Sequence, residues 1–255
     1  MKKKTIISLD KLNECFYQKH AQSFDQTRQY FWPGWDKLQS QIIKLACKNK
    51  KFAVLDVGCG NARFAEFLKK NQYCFTYLGT DNNPYLLKKA EERLASLKLT
   101  FQLQRFNLVT ALLENKLNTK FNKKFDLIIA FGVLHHIPSF KLRKKLIEQL
   151  GDLLKNKNSL LVVTAWQFAD QFRFDSKKIN FSQFKINQED LEKNDFILDW
   201  QKNQSIPRYC HFVDINETNQ INKKINSVKL SSTFFADGKT NNLNLYSIWK
   251  RLNDK

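Results

Sequence analysis

Residues 52–64 read FAVLDVGCGNARF and residues 77–82 read YLGTDN. Phe52, Val54, Leu55 and Val57 form a continuous apolar run with no helical period, the pattern of a strand buried on both faces of a parallel sheet. Gly58 and Gly60 follow at once. Lacking a Cβ, they allow a tight turn and let backbone N–H groups approach a ligand. Residues 61–70 read as a helix with Phe64, Phe67 and Leu68 on one face, at i, i+3 and i+4. A second apolar run over 75–79 leads to Asp81, where nucleotide-binding units place an acid for ribose hydroxyls. Strand, glycine turn, helix, strand and acid make a β-α-β unit, and that order points to a doubly wound α/β sheet.

The turn departs from the dinucleotide fingerprint. G-x-G-x-x-G would need glycine at position 63, where the chain has Arg63, and an acid, Asp56, precedes the turn. Asp56-x-Gly58-x-Gly60 after a buried strand, with Asp81 closing the next, resembles motif I and the ribose-binding acid of class I S-adenosylmethionine-dependent methyltransferases. The resemblance implies S-adenosylmethionine as cofactor. It places Asp56, Gly58, Gly60 and Asn61 at the methionine end and Asp81 and Asn82 at the ribose. Many members carry a third glycine where this chain has Ala62, a side chain small enough for the turn to survive.

Further strands follow in order. Residues 99–106 alternate loosely and end at Asn107, which either contacts the adenine, as the resemblance implies, or simply turns the chain, since Asn favours turns. FDLIIAF at 125–131 is another buried strand; Phe131 at its end joins the cofactor-binding set. Ser139 can cap a helix over 140–154 whose basic residues Lys141, Arg143, Lys144 and Lys145 are expected to face solvent. SLLVVTAW at 159–166 is a fifth strand. Residues 226–235 and 243–249 alternate as two more, joined through Asp237-Gly238, a hairpin signal. The expected fold is α/β: a Rossmann-like, seven-stranded, mostly parallel sheet with helices on both faces. The resemblance adds an antiparallel last strand. One methyltransferase domain is expected over 1–255, with a helical extension at 1–50, a cofactor half at 51–166, a substrate-side insertion at 167–224 and hairpin strands at 225–255.

His135 and His136 are adjacent in the loop GVLHHIP after the fourth strand. Neighbours on a strand point apart, and no further His, Cys or acid lies at ligand spacing, so no metal is expected. His136 is the candidate for orienting the substrate, or else a structural loop residue. Its HH-x-P/S context is widespread in the superfamily and says little about the acceptor.

Three other strings narrow the acceptor: FYQKHAQSFDQTRQYFWPGW at 16–35, TAWQFADQFR at 164–173 and ILDWQKNQSIPRYCHF at 197–212. They resemble three segments of the eukaryotic-type tRNA wobble-uridine methyltransferases, which esterify 5-carboxymethyluridine in the anticodon. Tyr17, Ala21, Phe24, Thr27, Arg28, Trp32 and Pro33 supply the first, with Trp-Pro one residue early. Thr164-Ala165-Trp166 approximates the second. Asp199-Trp200 and Arg208-Tyr209-Cys210-His211-Phe212 approximate the third, with Asp for Pro and Cys for Tyr. The resemblance implies methylation of a carboxylate at the tRNA wobble position, the anticodon loop as partner, and a small zinc-binding activator protein. Arg28 and Arg208 can engage carboxylate or phosphate with a guanidinium fork, or form salt bridges within the fold. Trp32, Trp166, Tyr209 and His211 can stack on a splayed base or pack in the core. Two other functions fit the same donor motif: methylation of a small molecule such as a quinone or lipid precursor, and cofactor binding without transfer.

Charge bears on this choice. With 43 Lys and Arg against 24 Asp and Glu, the chain carries +19 and a pI near 9.7. Such a field favours a polyanion, although the abundance of Lys, Asn, Phe and Ile equally fits the composition of an AT-rich genome. The five cysteines form no C-x-x-C pair and are odd in number, which reads as reduced thiols and a cytoplasmic location. The apolar run at 5–9 is too short for a signal peptide, and no run approaches the ~20 apolar residues of a membrane span.

Overall fold

A computed structural model describes residues 1–252 apart from Asn122, Lys185 and 201–205; the middle of the 197–212 string therefore lies outside the described residues. The chain opens with helices α1 (Lys3–Gln26), α2 (Pro33–Asp36) and α3 (Gln39–Lys48). Strands and helices then alternate: β1 (Phe52–Val57), α4 (Arg63–Lys70), β2 (Phe75–Asp81), α5 (Pro84–Ser96), β3 (Phe101–Arg105), α6 (Leu108–Leu113), β4 (Leu127–Ala130), α7 (Phe140–Asp152) and β5 (Leu160–Trp166). Three short strands follow, β6 (Lys178–Ile179), β7 (Asp195–Leu198) and β8 (Arg208–His211). Helix α8 (Ile215–Lys223), β9 (Val228–Ala236) and β10 (Asn244–Arg251) end the fold.

The main sheet has seven strands in the order β3-β2-β1-β4-β5-β10-β9. All pairings from β3 to β5 are parallel, and β10 runs antiparallel to both neighbours. This is the Rossmann-like arrangement expected, including the antiparallel last strand. Its cause is visible in β4, where Ile128 and Ala130 pack with Leu55, Val57, Leu161 and Val163 in one core. Leu127 and Ile129 pack with Phe52, Val54 and Val162 in the other. A period of two with apolar residues at every position needs cover on both faces. Helices α3, α4 and α5 cover one face; α6, α7 and α8 cover the other. Each fully buried Leu, Ile or Val contributes about 1.5–3 kcal/mol relative to exposure.

A second sheet of three antiparallel strands, β6-β7-β8, is an element that the sequence did not announce. Helix α1 packs on β8 and α5, burying Ile6, Leu9, Asn13, Phe16 and His20 at spacings of three and four.

One expectation fails within α7. Arg143 does not face solvent with its basic neighbours but is wholly buried. Its Nε donates to Glu217 on α8 at 2.6 Å, its Nη2 to Glu192, and its Nη1 to the Ile137 carbonyl. Among the described residues, no helix is long and apolar enough to cross a membrane.

Candidate functional site

The strand order reverses between β1 and β4, with later strands added on opposite sides, and open α/β sheets bind ligands in the crevice at such a point. A cavity of about 580 Å³ lies there. The turn after β1 is held to the end of β2: the Gly58 and Cys59 N–H groups donate to the Thr80 carbonyl at 2.8 and 2.9 Å. Gly58 has φ +70°, and a Cβ there would lie 2.4 Å from Cγ2 of Val133. Gly60, at φ +54°, would point its Cβ into open space, which leaves the backbone accessible to a ligand. Ala62 keeps the turn in the left-handed region, at φ 58°, at a cost of about 1 kcal/mol for a residue with a Cβ.

Asp81 ties this turn together. Its Oδ2 accepts the Gly60 N–H and its Oδ1 the Asn83 N–H, both at 2.9 Å. Burial raises its pKa against the pull of those N–H donors. Asp56 accepts the Tyr77 hydroxyl at 2.7 Å. Burial pushes its pKa to about 7; the Tyr77 bond opposes the rise and the Asp81 charge adds to it.

Every residue expected at the cofactor lines this cavity: Asp56, Gly58, Gly60, Asn61, Asp81, Asn82, Asn107 and Phe131. Asn107 serves two ends. Its Oδ1 caps α6 by accepting the Thr110 N–H, while its Nδ2 donates to Asp10 and Glu14 of α1 at 3.0 and 2.8 Å. Glu14 also accepts from Asn82, and Asn61 donates to Asp25. Helix α1 thus lays an acidic edge against these asparagines. Sequence reasoning missed Asp10 and Glu14, whose available signal was their i, i+4 spacing along α1, and named Tyr17 as part of the first segment without a role at the site. Burial and the nearby Glu14 raise Asp10 to about 6, with the Asn107 bond opposing them.

Beyond the glycine turn the lining becomes aromatic and cationic: Tyr17, Phe24, Arg28, Trp32, His135, His136, Trp166, Trp200 and Arg208. Arg208, 5% exposed, has its guanidinium carbon 4.7 Å from the Trp166 ring centre, 5.1 Å from Trp200 and 5.2 Å from Phe16. Among the described residues its Nε has no hydrogen-bond partner. The Arg28 guanidinium lies over Phe24 at 4.5 Å and, among the described residues, donates to the carbonyl and hydroxyl of Thr27. Burial, with Arg208 adding repulsion, lowers Arg28 to about 10, so it stays charged at neutral pH. Among the described residues the arginine–carboxylate pairs are those of Arg93 and Arg143, and neither Arg28 nor Arg208 has one. Two further buried polar atoms here lack partners, Trp200 Nε1 and His135 Nδ1.

The histidines divide differently from expectation. His136 Nδ1 lies 3.0 Å from the Tyr209 carbonyl, and its Nε2 lies 2.9 Å from the Tyr17 hydroxyl. The carbonyl requires Nδ1 to carry the proton, so Nε2 accepts from Tyr17. Both ring nitrogens of His136 are committed, whereas His135 keeps one free of partners. Burial, aided by Arg208, lowers His136 to about 3, and burial lowers His135 well below its usual range. Both are neutral near pH 7. The fold also brings Cys210 to them, with ligand atoms of all three within 4.8 Å. Sequence spacing hid this approach. Cys210 Sγ lies 3.9 Å from His136 Nδ1, and burial holds its thiol up at about 12.

Tyr209 and His211 do not line the cavity. A two-residue period on β8 puts them on the face opposite Arg208, where both are buried. The Tyr209 hydroxyl donates to Asp195 at 2.6 Å, and His211 lies between Asp195 at 2.6 Å and Glu217 at 2.8 Å. With Arg143 they form an ionic network beneath the strand that carries Arg208. Their expected stacking role on a base is therefore replaced by a supporting one.

That network makes stability pH-dependent. Burial disfavours the His211 imidazolium, but bonds to Asp195 and Glu217 outweigh it and raise the pKa above 6.5. Its stabilisation is full below the unfolded value and is lost as pH rises through the folded one. Glu217 is buried too, yet His211 and Arg143 lower its pKa from 4.5. Its contribution is present above the unfolded value and is lost as pH falls through the folded one. Urea unfolding of wild type and His211→Gln from about pH 5 to about pH 9 should show a stability gap that narrows on the alkaline side. A gap independent of pH would refute a charged His211.

Comparison with known proteins adds the following. Residues 55–161 match the family described as "Methyltransferase domain". Over 151 residues the chain is 27% identical to a tRNA (carboxymethyluridine(34)-5-O)-methyltransferase of Arabidopsis thaliana. That match takes in 59% of this chain but only 31% of the plant protein. An S-adenosylmethionine-dependent methyltransferase from Clostridium acetobutylicum superposes with a TM-score of 0.61 at 15% identity, over 92% of this chain and 98% of its own. The N-methyltransferase NodS of Bradyrhizobium japonicum, solved with S-adenosyl-L-homocysteine, gives 0.55 at 14% identity, over 89% and 91%. At these identities the structural likeness carries the fold.

Proposed function

We propose that this chain, a methyltransferase of the S-adenosylmethionine-dependent class, esterifies the carboxylate of 5-carboxymethyluridine at the wobble position of a tRNA. The observation that carries the proposal is the unmatched charge at the aromatic end of the cavity. Among the described residues, Arg28 and Arg208 stand there without a carboxylate, and Trp200 Nε1 and His135 Nδ1 are without a partner. Burying a cation without its counter-ion is costly unless a ligand supplies one. An anionic acceptor supplies it, and the plant relative acts, by its name, on a carboxymethyluridine.

The cofactor fits the other end. Gly60 leaves room for a ligand at the backbone, Asp81 presents an acid to a ribose diol, and Asp56 and Asn61 flank the methionine end. Asn82, Asn107 and Phe131 would complete the adenosine side. When bound, S-adenosylmethionine supplies an electrophilic methyl group on a cationic sulfur. An acceptor carboxylate is ionised at neutral pH. Its oxygen forms the new O–CH₃ bond as the S–CH₃ bond breaks, and no proton is transferred. His136, lowered to about 3, is a weak base, which suits a reaction that needs none. What the residues provide is orientation: Arg28 and Arg208 fix the carboxylate, and Trp32 and Trp166 offer flat surfaces to the base. Enclosure also helps, because the two opposite charges of the reactants disappear in the product and water no longer favours their separation.

Nucleosides from tRNA incubated with the protein and methyl-labelled cofactor, analysed by mass spectrometry, test this reading. Label is expected in the methyl ester of 5-carboxymethyluridine. The assay is run with and without a small zinc-binding activator protein, which the family resemblance implies. No label in any tRNA nucleoside under either condition, from protein that binds the cofactor, would reject tRNA and leave a small-molecule carboxylate as acceptor.

A further inference from the structure

Tyr30 and Phe172 are 85% and 92% exposed, whereas the next most exposed large apolar side chain, Ile43, is 47% exposed. An aromatic ring held almost wholly in water has no packing role to explain it. Both rings lie on segments anchored at the aromatic end of the cavity. Tyr30 lies between Arg28 and Trp32, two lining residues. Its carbonyl accepts from Arg63, whose guanidinium sits 5.7 Å from the Trp32 ring centre and 5.4 Å from Trp35. Phe172 begins the short helical turn Phe172–Lys177. Within that turn Phe174 lines the cavity and meets Trp166 edge-on at 4.8 Å. Arg173 lies over Phe174 at 4.8 Å, and after Asp175 and Ser176 come Lys177 and then Lys178, which pairs with Asp175. The backbone on each side is fixed, the ring is free, and cations stand alongside.

We infer that Tyr30 and Phe172 are stacking platforms for the nucleotides flanking the acceptor base in a single-stranded RNA loop. This inference rests on the RNA reading above and extends it from the acceptor base to its neighbours. A base that enters the cavity leaves the stack, and its neighbours each lose a partner. Exposed aromatic rings replace those partners without reading sequence. Arg173 and Lys177 on the second segment complement the phosphates between stacked bases, in a chain of net charge +19, while Lys178 is paired with Asp175. A double-stranded partner would give such rings nothing to stack on.

The test uses an RNA stem-loop bearing 5-carboxymethyluridine in its loop, the same stem-loop unmodified, and the free nucleoside. Affinity is read by fluorescence anisotropy and methylation by initial rates, for wild type, Tyr30→Ala, Phe172→Ala and Phe172→Trp. Each alanine variant is expected to bind both loops about tenfold more weakly. Phe172→Trp should match wild type, and S-adenosylhomocysteine affinity and turnover of the nucleoside should not change. Loop affinity within twofold of wild type in both alanine variants overturns the inference, as does wild type that binds neither loop. Equal loss of nucleoside turnover also overturns it, since the rings would then be shaping the cavity. Wild type that binds the loops but methylates neither loop nor nucleoside defeats the proposed reaction, while the stacking inference is still decided by the affinities.

Discussion

Asp81→Ala is expected to weaken binding of S-adenosylmethionine more than tenfold, measured by titration calorimetry with S-adenosylhomocysteine as a stable surrogate. Two effects add. The carboxylate accepts the Gly60 and Asn83 N–H groups, and hydrogen bonds to a charged group contribute roughly 1.5–3 kcal/mol each. Their loss releases the turn that would cradle the cofactor, and a ribose diol loses its acceptor. Asp81→Asn should be nearly as damaging, because its amide turns a donor toward one of those N–H groups. Asp56→Ala is expected to exceed tenfold as well, for a different reason: it removes a buried charge near the cationic methionine end. Because burial sets Asp56 near 7, a cationic ligand must ionise it and release a proton. Affinity of wild type for S-adenosylmethionine itself, whose sulfonium charge the surrogate lacks, should therefore rise as pH climbs through about 7 and then level off, and this dependence should vanish in Asp56→Ala. Unchanged affinity in both alanine variants would reject the cofactor assignment.

The legibility of these two acids in the sequence has a local cause. A strand buried on both faces, a turn requiring φ above zero and an acid at the next strand end are each set by a few consecutive residues. Cores follow the same rule, since β4 announces its two buried faces by apolar residues at every position. Helix α1 shows the opposite case. Asp10 and Glu14 look like the polar side of any amphipathic helix, and the packing of α1 on β8 and α5 brings them to the cavity. Arg143 reads as part of a Lys-rich surface because its partners, Glu192 and Glu217, lie 49 and 74 residues away. Strands β6, β7 and β8 span two to four residues, too short to show a period. Had β8 been recognised, alternation alone would have separated Arg208 from Tyr209 and His211.

Arg208→Met should lower kcat/KM for methyl transfer at least about a hundredfold, and should at the same time make the protein more resistant to heat. The two effects share one cause. Arg208 is a buried guanidinium stacked on Phe16, Trp166 and Trp200 without a carboxylate partner among the described residues. A methionine of similar length keeps the packing against those rings and removes the uncompensated charge. Exchanging buried ionic groups for apolar ones of like volume is often neutral or stabilising by about 1–4 kcal/mol. An acceptor carboxylate, however, would then enter an aromatic pocket with Arg28 as its remaining fork, and loss of one buried partner from a charged pair costs about 2–5 kcal/mol. Arg28→Ala should also reduce methylation, less severely because Arg28 is only half-buried. Both variants should bind S-adenosylhomocysteine within about twofold of wild type, since Arg28 meets the glycine turn through its backbone carbonyl, which accepts from Asn61 and is kept in Arg28→Ala. Calorimetry, thermal unfolding and initial rates separate the possibilities. If Arg208→Met lowers the melting temperature and weakens the cofactor together with the rate, Arg208 is a structural residue of the fold. If activity falls while stability rises, the chain keeps an unpaired cation at a cost to its own folding, and a negatively charged acceptor is what offsets that cost.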